Sequence, residues 1–173
     1  LSLPTISFGQ GVAVSPLQIC MAYTAIANNG YVISPRIIKE IRNSDGSSEY
    51  SMETNTIRQA MTVRTANRMK NLLYQVVESG SGTNAAIHNV RIGGKTGTAQ
   101  IPSENQKGYV PGRYISSFIG FTLDGDPGIL CYVMIDSPKK VHYGSQVAAP
   151  VFKNIMNRIL NYHESPWNRA FAE

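Results

Sequence analysis

The residues whose types and spacing suit chemistry are Gly93-Gly94-Lys95-Thr96-Gly97-Thr98-Ala99-Gln100, one cation and two hydroxyls in a glycine-flanked run. Thr96 and Thr98 are two apart, so on a strand their hydroxyls leave the same face. Lys95 and Gly97 fall on the other phase, so the ammonium must reach the threonines from an edge or along the strand. Gly97 carries no Cβ, which lets a second backbone lie close against the strand. A hydroxyl pair beside a cation suits a terminal carboxylate, because charge-assisted hydrogen bonds are the stronger kind. The same eight residues also describe an ordinary strand entered through a glycine turn, since short motifs recur by chance. The surrounding chain has to separate the two.

The elements that would position this run follow from periodicity and punctuation. Ser15-Pro16-Leu17-Gln18 is a capping-box start with proline at the first helical position. Ile19, Cys20, Tyr23, Ile26 and Ala27 then make one apolar face, and Asn28-Asn29-Gly30 stops that helix. Residues 35–41 read as a strand, with a turn at Asn43-Ser44-Asp45-Gly46 and a short return near residues 50–52. Thr62 caps a second helix with the stripe Ala66, Met69, Leu73, Val76 and Val77, whose methionine reads as core filler, and Ser79-Gly80-Ser81-Gly82 ends it. Three strands follow at 92–101, 114–123 and 129–136, the last two joined as an antiparallel pair by Asp124-Gly125-Asp126-Pro127-Gly128.

These last strands are apolar on both phases, as Ile115, Phe118, Ile119 and Phe121 show, so both faces call for cover. A final helix repeats Ala148, Val151, Phe152, Ile155, Met156 and Ile159 at three and four, with Pro150 expected in its first turn. The expected fold class is α+β, an antiparallel sheet covered by helices. The polar segment 102–112 is long for a hairpin and is expected to rim a channel.

Composition narrows the class. The 173 residues are 42% hydrophobic with a net charge of +5, enough apolar content for a core and a length that suggests one domain. No run of eighteen apolar residues and no signal peptide is present, so nothing in the chain is expected to span a membrane. The basic residues are scattered singly beyond Arg36, Lys39 and Arg42, which argues against nucleic acid. The positive balance suits either an anionic cell-wall polymer or an ordinary solvated surface. Cys20 and Cys131 could pair or stay as free thiols. His88 has no carboxylate or cysteine at ligand spacing, and no metal, nucleotide or haem motif occurs, so no cofactor is expected.

Five blocks, in order, carry a family resemblance. They are Ser7-Phe8-Gly9-Gln10-Gly11-Val12-Ala13-Val14-Ser15-Pro16-Leu17-Gln18, Ala25-Ile26-Ala27-Asn28-Asn29-Gly30-Tyr31, Gly82-Thr83-Asn84-Ala85-Ala86, Gly94-Lys95-Thr96-Gly97-Thr98-Ala99-Gln100, and Tyr143-Gly144 with Ala148-Ala149-Pro150-Val151-Phe152. From Thr5 to about Tyr162 the chain resembles the C-terminal part of class B penicillin-binding proteins, the serine D,D-transpeptidases of peptidoglycan.

The resemblance implies a partial penicillin-binding-protein/β-lactamase-like transpeptidase fold, with residues 1–173 as the C-terminal portion of one domain. It implies that Lys95 serves catalysis, that Thr96, Gly97 and Thr98 bind substrate, and that Gln100, His142 and Tyr143 stand at the pocket rim. His142 and Tyr143 read equally as exposed loop residues. Family members act through Ser-x-x-Lys and Ser-x-Asn motifs lying ahead of the Lys-Thr-Gly triplet. This chain begins after both, so the fragment alone is expected to be inactive. Ser137-Pro138-Lys139-Lys140 and Ser103-Glu104-Asn105 match those patterns but follow Lys95 in loop-like segments, and are taken as coincidences.

The partners implied are peptidoglycan stem peptides, β-lactams and the remainder of the same domain, with a membrane reached only through an N-terminal anchor outside the chain. The place implied is the cell envelope, on the extracytoplasmic face of the cytoplasmic membrane. Two alternatives stay open, a β-lactam sensor or β-lactamase-like domain, and a non-catalytic binding fragment.

Overall fold

The structure is a computed structural model that describes residues 12–103, 107–125 and 128–164. The chain divides into two compact units, one of Ser15–Met69 and one of Leu1–Val14 with Lys70–Glu173.

In the first unit, helix α1 (Pro16–Ala27) starts at Ser15 with both bonds of the capping box in place. Gln18 N–H donates to Ser15 Oγ (3.3 Å), and Ser15 N–H donates to Gln18 Oε1 (2.8 Å). It ends at Asn28, and Asn29 and Gly30 both take positive φ (53° and 98°). A Cβ on Gly30 would overlap the Met61 carbonyl, so only glycine fits that turn. Strand β1 (Tyr31–Ile33) pairs antiparallel with β4 (Thr56–Gln59), and β2 (Glu40–Arg42) with β3 (Ser48–Ser51).

The strand expected over 35–41 is therefore only its last two residues plus Arg42, and its return runs over 48–51. Ile37 is fully exposed and residues 35–39 form no strand, although the Lys39 carbonyl accepts from Met52 N–H (2.9 Å): apolar content makes no ladder without a partner backbone along its length. The sequence does not announce the β1–β4 pair, since residues 34–55 lie between its members and short strands carry little periodicity.

Helix α2 (Val63–Glu78) begins after Thr62, whose hydroxyl accepts from Thr65 N–H (3.2 Å). The boundary between the units falls inside it. In the second unit a 3-10 turn (Thr83–Ala85) leads to an antiparallel sheet in the order β5-β6-β7. Its strands are β5 (Ile92–Pro102), β6 (Tyr109–Thr122) and β7 (Leu130–Asp136). Strand β6 starts five residues earlier than expected, so the expected 102–112 rim loop is strand at Pro102 and over 109–112, with Pro102 opposite Tyr109. A register shift between Gln100 and Pro102 absorbs the irregular polar residues that masked this pairing.

Register assigns the faces. Gly94, Thr96 and Thr98 lie opposite Gly120, Phe118 and Ser116 on one face; Gly93, Lys95 and Gly97 lie opposite Phe121, Ile119 and Ser117 on the other. Phe118 to Thr122 are buried without a break, as strands covered on both faces must be. Helix α3 (Gly144–Glu164) covers the first face through Phe152, whose ring lies 4.8 Å from that of Phe118. Leu73 of α2 meets the second face at Gly93, and Val77 joins the cluster of Ile92, Phe118, Ala148, Phe152 and Met156.

Pro150 lies inside α3 rather than in its first turn, because the helix begins at Gly144. A proline there has no N–H for the Gln146 carbonyl. The early start is held by contacts to the sheet described below.

Candidate active site: the open edge of strand β5

Strand β5 has a partner on one side only among the described residues, and the phase of that pairing decides what its other side offers. Leu123 N–H donates to Arg91 O (2.9 Å), so the odd-numbered residues point their N–H and C=O groups at β6. The alternation turns the backbone groups of Thr96 and Thr98 to the open edge. Lys95 stands on the opposite face, yet its Nζ curls back to donate to Thr96 O (3.0 Å). The ammonium thus reaches the threonine side over the edge, and Lys95 is exposed.

Neither threonine hydroxyl is sealed in. Thr98 is exposed and Thr96 half-buried. Thr96 Oγ1 shares a hydrogen bond with Ser81 Oγ (3.1 Å), supplied by the turn after α2. Gly80 and Gly82 flank Ser81, and Gly82 N–H donates to Val76 O (2.8 Å), so the turn is clamped to the helix end. Thr98 Oγ1 accepts from Gly144 N–H (3.1 Å), the first residue of α3. A hydroxyl has one proton to give, and with an N–H donor on one lone pair that proton points elsewhere. The N-terminal end of a 21-residue helix also brings a partial positive charge to Thr98.

The expected rim residues collect on the same face. Gln100 lies opposite Tyr114, two ladder pairs beyond Thr98–Ser116 and so on the same face. The rings of Tyr114 and His142 stack at 4.1 Å and 12°, and Tyr143 follows with its ring 4.6 Å from that of His142. His142 is half-buried and Tyr143 exposed. Thr96, Thr98, Gln100 and His142 are therefore neighbours on one face, with Tyr143 beside His142, and the Lys95 ammonium reaches the same edge from the other face. The space beside Gly97 is partly taken from within, since a Cβ there would lie 2.5 Å from Ser117 Oγ.

Ser137 sits in a bend at φ 47°, where its Oγ accepts from Arg113 Nε (2.9 Å) and donates to Asp136 Oδ1 (2.5 Å). Its Ser-x-x-Lys pattern lies in a loop, while Glu104 and Asn105 of the Ser-x-Asn pattern fall outside the described residues. Cys20 is a free thiol, and burial pushes it up. Sequence reasoning missed Ser81, Ser116 and Gly144 as parts of this site. Register from the Lys-Thr-Gly strand points to Ser116, but only once the pairing with β6 is known.

Comparison with known proteins settles the family. A model of the penicillin-binding protein transpeptidase domain matches residues 1–157. The chain belongs to this family. It is 37% identical over 154 residues to stage V sporulation protein D of Bacillus subtilis, covering 88% of this chain and 24% of that protein. It is 34% identical over 158 residues to peptidoglycan D,D-transpeptidase FtsI of Buchnera aphidicola, covering 90% of this chain and 26% of the relative. Among solved structures, penicillin-binding protein 3 of Mycobacterium tuberculosis superposes with a TM-score of 0.78 at 30% identity, over 91% of this chain and 37% of that one. The transpeptidase domain of Burkholderia pseudomallei penicillin-binding protein 3 gives 0.75 at 34% identity, over 94% and 46%. The mycobacterial protein has also been solved with aztreonam and with ampicillin. This chain spans about a quarter of the length of the curated relatives it matches. The α+β class expected from sequence agrees with these neighbours.

Proposed function

We propose that this chain is the substrate-carboxylate side of a serine D,D-transpeptidase domain that cross-links peptidoglycan stem peptides and is acylated by β-lactams. The whole protein acts in the cell envelope, and the acylated serine comes from a segment outside these residues. In the first step that serine attacks the penultimate D-Ala carbonyl and the terminal D-Ala leaves. In the second, an amine of a neighbouring stem takes the acyl group.

Thr98 carries the reading, because its exposed hydroxyl accepts the Gly144 N–H and keeps its own proton for a donor bond. Thr96 and Thr98 hold the terminal carboxylate, Lys95 supplies positive potential and orients the incoming Ser-x-Asn hydroxyl, and the Thr98 N–H stabilises the oxyanion. That last role is supported by the pairing phase, which turns this N–H to the open edge. Gln100, His142 and Tyr143 form the rim against which the rest of the substrate lies.

The test is the Thr98→Val exchange in the intact enzyme, with the second-order rate of acylation by a fluorescent penicillin as readout. The rate should fall by about one to three powers of ten, the range of lost charge-stabilising contacts. An unaltered rate would remove Thr98 from the mechanism.

A further inference from the structure

Ser116 is fully buried, sits directly opposite Thr98 in the β5–β6 ladder, and plays no part in the scheme above. Its hydroxyl donates to the His142 carbonyl, so its polar need is met. That bond also fixes the corner His142-Tyr143-Gly144, through which the chain turns from the loop into α3. The corner is pressed onto the sheet: a Cβ on Gly144 would overlap the carbonyl oxygens of Ser117 and Gly97. From the far side, Asn84 Nδ2 donates to Ser145 O (2.9 Å), and Tyr114 stacks on the His142 ring. These contacts leave the Gly144 N–H aimed at Thr98 Oγ1. A threonine hydroxyl without that donor is free to rotate and satisfy itself on local carbonyls.

We propose that Ser116 is a positioning residue: through the His142 carbonyl it keeps the Gly144 N–H on Thr98 Oγ1, and so commits the Thr98 proton to an incoming carboxylate. The inference rests on the carboxylate-binding role proposed for Thr98. Ser116 touches no substrate, and its effect is confined to how well the site distinguishes an anion from a neutral group.

The intact transpeptidase carrying this segment is assayed with a fluorescent penicillin and with the methyl ester of the same molecule, and the quotient of the two acylation rates gives the carboxylate preference. Ser116→Ala should lower that preference by about three- to tenfold, the scale of one lost hydrogen bond. Ser116→Thr, which keeps the hydroxyl, should restore it. Ser116→Cys fills the site with a weaker donor and should lower the preference too, which keeps the test open if the alanine variant fails to fold. In a Thr98→Val background, Ser116→Ala should change nothing more. If Thr98→Val lowers the preference but the Ser116 variants leave it intact, or if the two effects multiply, the positioning role is overturned and the Thr98 reading survives. If Thr98→Val itself leaves the preference intact, both fall together.

Discussion

Thr98 concentrates the chemistry of this chain in three groups: a hydroxyl oxygen that accepts from Gly144, a hydroxyl proton left free to donate, and a backbone N–H turned to the open edge. None of its neighbours in the motif is equivalent to it. Thr96 is half-buried and shares its hydroxyl with Ser81, while Lys95 bridges to the Thr96 carbonyl from the other face. The glycines differ among themselves as well. A Cβ on Gly94 would lie 2.6 Å from Phe118 Cζ and 2.8 Å from the Ile119 carbonyl oxygen, and the backbone atom cannot step aside. Gly94→Ala should therefore destabilise the domain by about 1–3 kcal/mol through overpacking, read as a lower denaturant midpoint. A midpoint at the wild-type value would mean the sheet relaxes there more easily than its packing implies.

Among the elements, the β2–β3 hairpin shows local chemistry acting without a core. Its residues are largely exposed, so its order depends on the turn. Asp45 accepts from Ser47 Oγ (2.6 Å) and Ser47 N–H (2.9 Å), and these bonds, the hydroxyl first, hold its carboxyl below the usual range. A depressed folded pKa means the contribution is present above the ordinary aspartate value and lost as pH falls through the folded one. A carboxyl titration followed by NMR should give Asp45 a midpoint below that of an ordinary aspartate, and Ser47→Gly should raise it. A wild-type midpoint at or above the ordinary value would contradict the bonding. Helix α3 makes the opposite point. It tolerates Pro150 in its interior because packing against the sheet and its anchorage at Thr98, Ser116 and Asn84 outweigh one missing backbone bond.

In the molecule as a whole, the site depends on the cluster beneath it. Phe152 is fully buried against Phe118, which lies in the ladder opposite Thr96. Phe152→Ala should cost about 3–5 kcal/mol in an unfolding titration, the range for truncating a buried aromatic. A loss under 1 kcal/mol would mean that α3 is held mainly by its N-terminal contacts.

The sequence by itself determined the element types where periodicity was long or capping complete: α1 with its box, α2 after Thr62, and the β6–β7 hairpin across its glycine-rich turn. It also determined the family, because five spaced blocks cannot recur together by chance, and the shared face of Thr96 and Thr98, because strand alternation is local geometry. Pairing was beyond it. The β1–β4 partnership, the early start of β6 and the entry of α3 at Gly144 depend on backbone meeting backbone across long stretches of chain. For the same reason Ser81, Ser116 and Gly144 became part of the site only in three dimensions: a hydrogen bond between residues 15 to 46 positions apart leaves no periodic trace in the sequence.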